Sequence, residues 1–183
     1  LQNKVAAMST RSFTLLPHPN PTADDVRVAA IADPAFGRVF TDHMVSVRYT
    51  EGKGWHDAQI MPRGPLLLDP ATAVLHYAQE IFEGLKAYRT ENGEIAMFRP
   101  QANASRFNAS ARRMAMAEIP EDLFVDACKA LVEIDKDWFP NVDGGALYLR
   151  PFMYASEVFL GVKPASEYHF LVIASPVGNY FKS

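Results

Sequence analysis

Strand-forming sequence in this chain falls into two blocks, with the longer helix-forming runs set between them. From His43 to Thr50, HMVSVRYT alternates apolar and polar residues as a half-buried strand does. Gly52 to Gly54 makes a turn, and WHDAQIMP resumes in extended form. LKAYRT and IAMFR form a second pair joined by ENGE. There the Asn92-Gly93 step tolerates the positive φ angles of a tight two-residue turn. Two further strands, ALYLRPFMYA and YHFLVIASPV, close the chain. The grouping predicts an α+β domain: a mostly antiparallel sheet with helices on one side.

Residues 73–82 suit a short helix. A longer one starts at Pro100, whose missing amide proton matters little at a first helical position. Its stripe is Phe107, Ala111 and Met114, at i, i+4 and i+7. Arg112 points away from that stripe into solvent, and Arg99 precedes the helix. Arg106, Ser110 and Arg113 flank one edge, where a guanidinium can lie partly desolvated against the sheet. A second helix is expected from about Glu121 to Trp138, with Glu121 and Asp122 favoured in its first turn by the helix dipole. Phe124, Ala127, Leu131 and Trp138 give it an apolar stripe, and Pro140 stops it. By pattern alone Arg106 is either an anion-binding residue or an edge arginine paired to a carboxylate, and the second is the commoner arrangement.

Composition narrows the classes. At 183 residues the chain has single-domain size. A net charge of −3 and a pI of about 6.0 give no overall field for nucleic acid or anionic lipid. The single cysteine, Cys128, excludes an internal disulfide and a multi-thiolate metal site and suits a reducing, cytoplasmic setting; between Phe124 and Leu131 it reads as a small core residue. His43 has no ligand partners at useful spacing, so a hydrogen-bonded structural histidine is expected and no metal. No apolar run approaches the roughly 18–20 residues of a membrane helix. Residues 1–26 read as an extended proline-rich arm, in which Met8 could be the natural start. Residues 27–176 read as the domain, and 177–183 as the start of a linker.

Several segments together carry a resemblance: FGRVFTDHMVSV, LHYAQEIFEGLKAYR, MFRP, NASRFNASARRM, LVEIDKDWFP, LYLRPFMYA, LGVKP and SPVGNYF. In this order and spacing they are similar to branched-chain amino acid aminotransferases, fold-type IV enzymes that use pyridoxal 5′-phosphate. The resemblance covers about residues 34 to 181. It implies the small N-terminal domain of such an enzyme and gives Arg106 the cofactor phosphate, for which a planar, always-charged fork is well shaped. It also implies that Tyr77 helps bind the substrate α-carboxylate, while Phe36 and Phe82 wall an aliphatic side-chain pocket. Tyr148 and Arg150, two apart on a strand and so on one face, would receive the distal carboxylate of glutamate or 2-oxoglutarate. Without the resemblance, an internal salt bridge of Arg150 with Glu83 or Glu157 is the simpler reading. Leu160 and Val162 would reach into a neighbouring subunit's pocket, implying a homodimer, and Tyr180 would belong to a loop closing over substrate.

In the family the Schiff-base lysine lies in a second, large domain. None of Lys4, Lys53, Lys86, Lys129, Lys136, Lys163 and Lys182 stands at its position. The chain alone is therefore expected to be inactive, and the complete protein to move the amino group of leucine, isoleucine or valine to 2-oxoglutarate. A D-amino acid aminotransferase or aminodeoxychorismate lyase of the same fold, or a non-catalytic interaction module, are the other readings.

Overall fold

The computed structural model describes residues 13–34, 37–142 and 144–178. In chain order the elements are β1 (Thr14–Leu15), α1 (Asp24–Ala32), β2 (His43–Thr50), β3 (Gly54–Pro62), α2 (Val74–Tyr77), β4 (Glu80–Phe82), β5 (Leu85–Arg89), β6 (Ile95–Met97), α3 (Pro100–Arg113), α4 (Glu121–Ile134), a 3₁₀ turn (Lys136–Trp138), β7 (Ala146–Ala155) and β8 (Glu167–Val177). The strands make one eight-stranded sheet in the order β1-β3-β2-β8-β7-β5-β6, antiparallel except for β1 on β3. β4 also pairs with β7, through Glu80↔Tyr154 to Phe82↔Phe152, and β5 follows it along β7 through Leu85↔Leu149 to Tyr88↔Ala146. Glu83 and Gly84 are thus the joint between two collinear strands, tied to β7 by the Glu83 amide donating to the Pro151 carbonyl at 2.9 Å. The expected α+β class holds.

Because strand side chains alternate between faces, β7 and β8 divide their residues cleanly. Leu147, Leu149 and Met153 join Phe170, Val172, Val45 and Val47 under α3 and α4. Phe107, Phe124 and Phe170 meet there with ring centroids 5.3 to 5.9 Å apart. Such pairs contribute about 0.5–1.5 kcal/mol each beyond their burial. Tyr148, Arg150, Phe152 and Tyr154 occupy the other face, opposite Ser175, Ile173, Leu171 and His169.

Several local expectations change. The run 73–82 is a single helical turn, since Ala78 adopts a left-handed conformation (φ 49°) that ends α2; Phe82 therefore stands on a strand. In the 90–94 loop only Gly93 has positive φ, and a three-residue loop replaces the two-residue one: the Gly93 amide bonds the Thr90 carbonyl, and the Thr90 amide the Glu94 carbonyl. α3 stops at Arg113, leaving Met114 exposed and Met116 in the core. α4 stops at Ile134 because Asp135 turns inward, accepting from the His43 amide at 3.0 Å and approaching its Nδ1 at 2.6 Å. His43 is thus the structural histidine anticipated. Cys128 is buried in the core, and burial pushes its thiol pKa up. Residues 14–15 are extended, but α1 begins at Asp24 and runs across the boundary placed between residues 26 and 27. Segment 177–183 falls outside the described residues beyond Gly178.

Candidate active site

The site grows from the joint at Glu83-Gly84. Both oxygens of Glu83 receive the same edge of Arg106: Nε donates to Oε1 at 3.0 Å and Nη2 to Oε2 at 2.9 Å. Buried Asn103, one helical turn earlier on α3, donates to Glu83 Oε2 at 2.8 Å and to the Gly84 carbonyl at 3.2 Å. The Arg106 side chain is 61% exposed against 13% for Glu83, so the guanidinium is not desolvated against the sheet as its helix position suggested. Hydrogen bonding to Glu83, then the carboxylate's charge, raises the Arg106 pKa. Beside this pair opens a cavity of about 340 Å³ lined by Gly84, Lys86, Arg99, Asn103 and Arg106, among others. Three cations against one carboxylate give it a positive balance that suits an anion. Arg99 reaches it from a left-handed N-cap position (φ 47°) ahead of α3, while Arg112 pairs with Glu118 at the surface as its outward position implied.

Gly84 also explains how a second group comes close. A Cβ built there would stand 2.3 Å from the Tyr148 hydroxyl oxygen, so only glycine lets that ring lie against the joint. Arg150 Nη2 donates to the Tyr148 hydroxyl at 2.9 Å, and its guanidinium carbon lies 4.3 Å from the centre of the Phe82 ring. Its Nε is buried and has no hydrogen-bond partner among the described residues. The salt bridge with Glu83 or Glu157 is therefore not formed: Glu83 is taken by Arg106, and Glu157 by Lys163 at 2.9 Å. A buried charged donor without a partner is costly. The cavity of about 250 Å³ at Arg150 is lined with it by Gly37, Phe40, Tyr148, Ile173, Ala174 and Ser175. With the Arg150 cation at its edge and mainly apolar walls, this cavity suits a carboxylate beside apolar surface.

A third group lies on the loop between β7 and β8. The Tyr77 hydroxyl donates to the Leu160 carbonyl, so these two are brought together. Glu157 receives the Ser166 amide at 2.6 Å and clamps the loop; that backbone hydrogen bond is the main reason its carboxyl lies below the usual range. Val162, on the same loop, is 93% exposed.

Comparison with models of known protein families matches none. Comparison with individual proteins gives a clear result. Over 175 residues the chain is 59% identical to a Streptomyces coelicolor protein named "Probable branched-chain-amino-acid aminotransferase", covering 95% of this chain and 48% of that protein. It is 53% identical over 171 residues to the branched-chain-amino-acid aminotransferase of Mycolicibacterium smegmatis, covering 93% and 46%. Over nearly all of its length the chain is thus similar to branched-chain aminotransferases. It spans about half the length of the curated relatives it matches.

Solved branched-chain aminotransferases from Escherichia coli and Thermoproteus uzoniensis share the fold, with TM-scores of 0.56 and 0.57 at 20% identity. They cover 76% of this chain and 42% and 43% of theirs. In this chain Arg106, Phe82, Tyr148 and Arg150 gather around the Glu83-Gly84 joint, whereas Tyr77, at the end of α2, is tied to Leu160 of the β7–β8 loop, which also carries Val162. Phe36 and Tyr180 lie outside the described residues. Sequence reasoning missed Phe40, Ile173, Ser175, Lys86, Asn103 and Gly84. Two of these were findable: Ile173 and Ser175 pair with Arg150 and Tyr148 once the β7–β8 register is known. Gly84 carries no local signal, since its need comes from a tyrosine 64 positions away.

Proposed function

We propose that the protein carrying this chain is a transaminase that moves the amino group of leucine, isoleucine or valine to 2-oxoglutarate with pyridoxal 5′-phosphate. The observation that carries this reading is Arg150: a half-buried cation with an unpaired Nε, laid on Phe82 and bonded to Tyr148 at the rim of an apolar cavity. Such a seat takes an acidic side chain by its charge and leaves an aliphatic one the surrounding apolar wall. One pocket can then accept both partners of the exchange.

The residues fit the cofactor's phosphate. Arg106, Arg99 and Lys86 border one open cavity with the buried Asn103, a donor set matched to a phosphate dianion. When bound, pyridoxal phosphate supplies the carbonyl group that accepts and releases the amino group. Arg106 holds the phosphate; Tyr77 orients the substrate α-carboxylate; Phe82 and Phe36 exclude water from the side-chain pocket; Tyr148 and Arg150 receive the distal carboxylate. Leu160 and Val162, on their clamped and exposed loop, extend toward a neighbouring subunit in a homodimer, and Tyr180 closes over the substrate. The covalently reactive lysine comes from sequence outside this chain, so the 183 residues alone are inactive. Among the described residues no helix is long and apolar enough to cross a membrane, in keeping with a cytoplasmic enzyme of branched-chain amino acid biosynthesis.

The test splits the two half-reactions in the protein made from its whole natural reading frame. Arg150→Met should raise KM for glutamate and 2-oxoglutarate by roughly ten- to a hundredfold, the worth of a charge-assisted hydrogen bond or two, while KM for leucine moves little. Equal losses on both sides, or none, would remove the reading.

A further inference from the structure

We propose that Glu83 is a positioning residue for the anion site: it holds the Nε–Nη2 edge of Arg106 so that the remaining donors of the guanidinium are set toward the cavity. This rests on the reading of Arg106 as the phosphate-binding arginine. A guanidinium offers more than one donor edge, and Glu83 uses one edge through both of its oxygens. Arg106 Nη1 has no hydrogen-bond partner among the described residues, although Arg106 itself lines the cavity.

Two roles for the carboxylate are conceivable, and the geometry separates them. A stand-in for the phosphate would be a loosely held group that leaves when the true anion arrives. Glu83 is the reverse. Its side chain is more buried than that of Arg106, its Oε2 also receives Asn103, and its backbone is fastened to Pro151. Asn103 and Arg106 sit three apart on α3, so the helix grips the carboxylate at two points. An exposed arginine held in advance loses less rotamer freedom on seizing an anion than a free one. The carboxylate's negative charge opposes binding, but Lys86 and Arg99 on the same cavity keep the local balance positive.

The test uses the protein from its whole natural reading frame and two probes, pyridoxal 5′-phosphate and pyridoxal, which differ only in the phosphate. The readout is the ratio of their dissociation constants, by fluorescence titration. General damage to the fold weakens both probes and leaves the ratio alone. Arg106→Ala should collapse the ratio; if it does not, the phosphate reading of Arg106 fails first. Given that collapse, Glu83→Ala should lower the ratio by roughly tenfold, about one charge-assisted hydrogen bond's worth. Glu83→Gln, which keeps the shape and one acceptor, should lower it by less. The Arg106 Nε–H resonance should stay in place when inorganic phosphate is added and vanish in Glu83→Ala. An unchanged or increased ratio in both Glu83 variants, with Arg106→Ala still collapsing it, would overturn the positioning role, as would release of the Nε–H by phosphate.

Discussion

On the helix side of the sheet, Leu147, Leu149 and Met153 are wholly buried, whereas one residue along the same strand Tyr148, Arg150 and Phe152 remain partly accessible. The covered face is filled by aromatic and aliphatic side chains from α3, α4 and strands β2, β4, β5, β7 and β8. The other face holds a cation with an unfilled donor, a tyrosine resting on a glycine, and Phe82 at 62% exposure. One strand therefore furnishes a scaffold on one face and a candidate binding surface on the other. The rigidity of the first is what permits the second to keep a buried donor unsatisfied.

That contrast can be broken most forcefully at its covered side. Phe107→Ala should cost about 3–5 kcal/mol of stability by chemical denaturation, as large-to-small changes in tight cores do. Phe82→Ala should cost no more than about 1 kcal/mol, the scale of an exposed cation–π contact. Comparable losses at both positions would dissolve the distinction.

A second test asks whether the open face is sealed at its far end. His169 lies between Ser46 (2.7 Å from Nε2) and the Tyr154 hydroxyl (2.9 Å from Nδ1), and burial, helped by Arg48, pushes its pKa down to about 3. The unfolded chain takes up this proton near the ordinary 6.5. Below that pH it binds more protons than the folded one, so stability is full above 6.5 and declines as pH falls toward 3. His169→Gln should flatten that slope, measured as denaturation midpoint against pH, by an amount on the order of a few kcal/mol across the window.

Smaller effects sharpen the comparison within the site. Gly84→Ala should cost roughly 1–3 kcal/mol through overpacking against Tyr148, and should weaken glutamate binding more than leucine binding. Arg150→Met should be nearly neutral or slightly stabilising, within about 1 kcal/mol, because it removes an unsatisfied buried donor. A large loss of stability there would mean that Arg150 supports the fold rather than a ligand.

How much of this was legible beforehand depended on the range over which each feature is determined. The strand alternation of HMVSVRYT, Pro100 at the start of α3 and the stripe of α4 are local, and they were readable. The one-turn length of α2 and the end of α4 at Asp135 were not, because a left-handed Ala78 and a carboxylate turned toward His43 depend on surroundings remote in sequence. The same holds in the site. That Tyr148 and Arg150 share a face follows from strand geometry. Whether Arg150 would take Glu83 or Glu157 was undecided by spacing, and the fold gives Glu83 to Arg106 and Glu157 to Lys163.

Glu83 and Gly84 are consecutive, one fastening Arg106 and the other yielding room to Tyr148. The proposed grip on a phosphate and the proposed choice of an acid side chain thus share a single peptide link. A mutation that bends this link to retune one preference will disturb its neighbour, so the two traits should drift together during divergence rather than evolve separately.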